Sequence, residues 1–93
     1  MINSFNCKET ENIFRRIFSC RLPHDIQKIA LRKLLIIDAA TNMNDLRIPP
    51  SNHLEMLKGN RKGQYSIRIN DQWRICFQWK SESAHNVEIV DYH

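Results

Sequence analysis

This sequence predicts an α+β fold in which an N-terminal helical hairpin packs on one face of a small antiparallel sheet. Three observations lead there. Residues 64–69 and 73–79 are alternating runs around the turn Asn70-Asp71-Gln72, the pattern of a β-hairpin. Residues 23–41 carry Ile26, Ile29, Ala30, Leu34 and Ile37 on one helical stripe, widened by Leu31 and Leu35. The 93 residues suffice for one domain with a modest core, so residues 1–93 are read as a single domain.

The elements follow in order. Ile2 and Phe5 suit a short edge strand. Asn6-Cys7-Lys8-Glu9 has the form of a capping box, with Asn6 as cap and Glu9 reaching back. The helix it opens places Ile13, Phe14, Ile17 and Phe18 inward, turns Arg15 and Arg16 outward, and stops before Pro23. Pro23 suits the first turn of a second helix, where Asp25 complements the positive end, and that helix runs to about Thr41. A short connection makes the two helices an antiparallel pair. Residues 42–52 read as a connector because Asn, Asp and Pro disfavour regular structure. Residues 54–57 form a short strand, 59–63 a basic loop bounded by glycines, 81–86 a polar turn and 87–92 the last strand.

Side chains alternate across a strand. Tyr65, Ile67 and Ile69 therefore share a side with Trp73, Ile75, Phe77 and Trp79, which the helices bury. Ser66, Arg68, Arg74, Cys76, Gln78 and Lys80 fall on the other side. One layer is oily and the opposite one presents guanidinium groups.

Composition narrows the classes. A formal charge of +4 favours a polyanionic or acidic partner. The longest apolar run is broken by Asp38, far short of a membrane span, and no secretory leader is expected. Cys7, Cys20 and Cys76 are odd in number and lack zinc spacing, so reduced thiols in the cytoplasm are expected, with no metal and no cofactor.

Arg68 and Arg74 project from the face away from the helices, Tyr92 is in phase with Glu88 on that face, and Lys58, Arg61 and Lys62 border it. Forked guanidinium donors match phosphate oxygens. Such charges otherwise only solvate a sheet. Asp91-Tyr92-His93 places three proton-handling groups together, and a histidine exchanges protons near neutrality. In an ideal strand Asp91 and His93 fall opposite Tyr92, so all three meet one site only if the strand ends or twists there. His53 and Glu55 share a strand face. Each has a plain alternative as a surface residue or ion-pair partner.

LKGNRKGQYSIRINDQWRICFQW and the terminal VEIVDYH closely resemble the HigB branch of the RelE/ParE toxin superfamily, the plasmid maintenance killer type. The opening Ile-Asn-Ser-Phe, the segment LPHDIQKIALRKLLIIDAAT and Asp45-Leu46-Arg47 fit as well. The resemblance implies a RelE-like fold and a type II toxin that cuts messenger RNA in the ribosomal decoding site. It implies neutralisation by a HigA-type helix-turn-helix antitoxin, with operator DNA bound only through that complex. It assigns catalysis to Asp91, Tyr92 and His93, with Lys58 and Arg74 on the same concave surface. Some relatives have Leu-His-Pro-Leu-Lys-Gly where this chain has Leu-Glu-Met-Leu-Lys-Gly, so Glu55 occupies the histidine position and His53 lies two residues before it. Either Glu55 takes over that role, or the chemistry runs without it, or the activity is weaker. Lys58, Arg61, Lys62, Arg68 and His53 are then expected to hold the RNA. The rivals are a ParE-like toxin that inhibits gyrase by binding, and a basic protein-interaction module.

Overall fold

Alternation and turn chemistry build the sheet. The structure is a computed structural model and describes residues 1–92, so the expectation placed on His93 lies outside the described residues. Helix α1 spans Lys8–Phe14 and α2 spans His24–Ala39. Strands β1 (Glu55–Met56), β2 (Gln64–Arg68), β3 (Trp73–Lys80) and β4 (Ser83–Asp91) pair antiparallel in chain order. The N-terminal segment lies beside β4 through parallel bridges Ile2–Ala84 and Phe5–Val87.

The core is the predicted oily layer. Ile67, Ile75, Phe77, Val87 and Ile89 meet Ile26, Ala30, Leu34 and Ile37 of α2. Each large side chain buried there contributes roughly 1.5–3 kcal/mol. The Thr10 hydroxyl, buried on α1, accepts the Ile89 N–H at 2.9 Å and pins the first helix to β4.

Four local features differ from the sequence expectation. First, α1 ends at Phe14 rather than near Pro23. The Ile17 N–H bonds the Asn12 carbonyl and the Arg16 N–H bonds that of Ile13, a Schellman ending with Arg16 at φ 64°. Ile17 and Phe18 are therefore 52% and 55% exposed instead of core. Second, no side chain caps α1. The Asn6 amide donates to Glu88, and Glu9 accepts from the Ser19 hydroxyl. A capping box forms instead at Asn42 and Asp45, opening the 3₁₀ turn Met43–Arg47 inside the expected connector.

Third, β4 starts at Ser83, and the turn before it is only Ser81-Glu82, both at positive φ, the backbone of a tight hairpin turn. Fourth, a bulge between Cys76 and Gln78, with Asn86 at φ 54°, lets this longer strand keep its apolar residues on the core side. Among the described residues no helix is long and apolar enough to cross a membrane.

Candidate functional site

Register lays the polar layer out in rows. One row across the sheet is Glu55, Ser66, Cys76, Glu88, and the next is Arg68, Arg74, Val90. Tyr92 lies two residues past Val90, on the same side of the strand. Its ring centroid is 5.7 Å from the Arg74 guanidinium carbon.

Arg74 does not project into solvent as expected; it is 7% exposed. Nε donates to the Ser66 hydroxyl at 2.7 Å, and Nη2 donates to the Ser66 carbonyl at 3.3 Å and to the His53 carbonyl. Among the described residues these three bonds leave Nη1 as the amino group without a partner. The burial arises because the connector folds onto this side of the sheet edge, the 3₁₀ turn Pro50–Asn52 packing against β2. His53 ends that turn in the left-handed region, at φ 44° and ψ 58°. It serves the site through its backbone carbonyl, while its ring side is exposed.

Behind His53 stands a pair that sequence reasoning missed. Asn52 is fully buried, its amide donating to the Leu46 carbonyl at 3.1 Å and the Ile48 carbonyl at 3.3 Å. Its oxygen accepts from the Lys33 ammonium of α2. Burial, then the nearby charges of Arg32 and Arg68, push the Lys33 pKa below the ordinary lysine value. The signal was present: Lys33 interrupts the apolar stripe between Ala30 and Leu34.

The basic loop is not a set of free cations either. Arg61 Nη1 donates to Glu88 Oε1 at 2.8 Å and to Gln64 Oε1 at 3.2 Å. The Glu88 carboxylate holds the Arg61 guanidinium above its usual pKa. Cys76, wholly buried between them on the floor, has its thiol pushed up by burial, with Arg61 and Arg74 working against that and Glu88 with it. Lys58, Lys62 and Glu55 are exposed.

Arg68 is engaged by Asp71 of the hairpin turn. Asp91 pairs in register with Trp73, and its Oδ2 accepts from Gln72 at 3.1 Å, so it falls on the other side of the strand from Tyr92. The fold thus unites Arg74, Tyr92, Arg61 and Glu55 on one face and leaves Asp91 at its edge. Among the described residues no group of three or more His, Cys, Asp or Glu side chains is placed to hold a metal ion. A concavity of about 410 Å³ lies elsewhere, between the helices, lined by Ile13, Ile17, Phe18 and Leu31 with Arg16 and Lys28.

Comparison with known proteins agrees with this architecture. Toxin HigB-1 of Vibrio cholerae is 51% identical over 65 residues, covering 70% of this chain and 68% of that protein. Endoribonuclease HigB of Proteus vulgaris is 35% identical over 94 residues, covering 100% of both. The YoeB–YefM complex from Staphylococcus aureus matches at a TM-score of 0.61 and 23% identity, covering 100% of this chain and 98% of the matched one, a likeness of fold. Residues 4–93 match the model of the HigB-like toxins, described as the RelE-like toxin of type II toxin-antitoxin system HigB. The chain belongs to that family of toxins.

Proposed function

We propose that this toxin is a metal-independent endoribonuclease that cuts messenger RNA on the ribosome in the cytoplasm. The observation that carries the reading is the Arg74 guanidinium, fixed by Ser66 and His53, its Nη1 unbonded among the described residues, lying against the Tyr92 ring. A positioned cation beside an aromatic plane grips a phosphate and stacks a base. The relative named Endoribonuclease HigB aligns along its whole length.

Cleavage proceeds by attack of the 2′-oxygen on the adjacent phosphorus. A base removes the hydroxyl proton, and an acid protonates the departing 5′-oxygen. Glu55 serves as the base at one edge of the row. His93, next to Tyr92 in the chain, serves as the acid, and Asp91 supports it. Arg74 and Lys58 neutralise the charge that develops on phosphorus, each worth about 2–4 kcal/mol in the barrier. Tyr92 stacks on the nucleotide. Lys62 and Arg68 add unspecific backbone attraction. The face is open, so the ribosome supplies the pose of the message. A HigA-type helix-turn-helix antitoxin neutralises the toxin, and operator DNA is bound only through that complex.

The test is primer extension on messenger RNA from programmed ribosomes, run beside a gyrase supercoiling assay. The parent protein cuts the message, and His93→Ala and Arg74→Ala lose the cut. An intact message together with inhibited gyrase would overturn the reading in favour of the ParE-like alternative.

A further inference from the structure

Glu88 has no part in the reaction described above, yet it holds the loop that Lys58 begins. Arg61 leaves that loop on the β1–β2 side and reaches Glu88 on β4, at the far end of the row Glu55, Ser66, Cys76, Glu88. By strand spacing the row is about 14 Å long. Both ends of this strut are tied. Gln64 accepts from the same Arg61 nitrogen at 3.2 Å, and the Asn6 amide donates to the second Glu88 oxygen at 3.2 Å. The pair is sheltered, with side chains 35% and 19% exposed. It is therefore unlike exposed pairs such as Lys8–Glu11, which contribute little.

The loop has few other anchors. Its 3₁₀ turn Gly59–Arg61 buries no residue. Gly59 at φ 67° and Gly63 at φ 90° bracket it, so its backbone turns at both ends where only glycine is unstrained. A segment with so little burial moves freely unless it is tied down. Arg61 bonds Gln64 on β2 and Glu88 on β4, so the strut crosses β3 beside Cys76, the partner of Glu88 in register.

We propose that Glu88 is a positioning residue of the cleavage reaction: its carboxylate anchors Arg61 across the face and so sets Lys58 beside the scissile phosphate. The same ion pair withholds Arg61 from the RNA. Neutralising Glu88 thus has two opposite effects. Lys58 loses its place, which lowers turnover, and Arg61 becomes a free phosphate ligand, which tightens binding. A merely structural role moves both quantities in the unfavourable direction.

This inference rests on the nuclease reading, and its test separates the two. On programmed ribosomes Glu88→Gln lowers kcat about ten- to a hundredfold, the scale of a misplaced catalytic group, and lowers KM about two- to fivefold as one more phosphate contact forms. Glu88→Gln and Arg61→Gln combined are no worse in kcat than the worse single variant, since both break one strut. In the free protein, trypsin cuts after Lys58 and Lys62 about tenfold faster in Glu88→Gln than in the parent. Should Glu88→Gln fail to fold, Asn6→Ala, which removes only the second tie, carries the kinetic test with a loss of about threefold. A kcat within twofold of the parent, additive losses in the double variant, or unchanged trypsin cutting overturns the role of Glu88 alone. A parent protein that leaves the message intact overturns the nuclease reading instead.

Discussion

Lys33 of α2 and Asn52 of the connector form a buried hydrogen bond that links the helix layer to the site. Asn52 precedes His53, whose carbonyl holds Arg74. The arginine is thus held from the far side of the molecule, through two residues that touch no substrate.

Lys33→Met tests that linkage. It leaves the Asn52 oxygen buried and unpaired, at a cost of about 1–3 kcal/mol in chemical denaturation. Cleavage falls further than stability predicts, because the His53 carbonyl shifts. Equal melting curves for Lys33→Met and parent would refute the linkage.

Tyr92→Phe keeps the ring over Arg74 and retains cleavage within about threefold. Tyr92→Ala removes a contact worth about 0.5–1 kcal/mol before RNA binds and the stacking surface after it. Single-turnover rates then drop at least about tenfold. Equal losses in both variants would place the work in the hydroxyl group rather than in the ring.

Cys76 reports on the floor beneath the Arg61–Glu88 strut. It is buried with a raised pKa, so native protein at pH 8 is alkylated at exposed Cys20 and spared at Cys76. Mass spectrometry of iodoacetamide-treated protein reads this directly. The folded thiol binds its proton more tightly than the unfolded one. Its contribution to stability is therefore whole below about pH 8.5 and is lost as pH rises through the folded value. Cys76→Ala removes that alkaline loss.

Asp45 gives the acid limit. Backbone N–H groups of Thr41, then Asn42, hold its carboxylate below the usual pKa. Its contribution is present above about pH 4 and is lost as pH falls through the lowered folded value. Amide shifts of Thr41 and Asn42 follow this titration by NMR. Asp45→Asn abolishes the pH dependence, and a titration at the ordinary aspartate value would contradict the cap.

Much of the fold was legible because it is local. Trp73, Ile75, Phe77 and Trp79 announce their face by alternation alone, and the same count carries Tyr92 to the side of Arg74. The stripe from Ile26 to Ile37 fixes which side of α2 is buried. The end of α1 was misread because Ile17 and Phe18 continue its period. The left-handed Arg16 that breaks it is a residue type with no turn signature.

Period and turn chemistry act over a few residues, and so they specify the two layers, their order and the side on which the cations lie. What those cations do follows from contacts between distant parts of the chain. Arg74 is gripped by a carbonyl 21 residues away, and Arg61 is claimed by a carboxylate 27 residues away. Such pairings depend on where loops land on the sheet, and no local pattern encodes that.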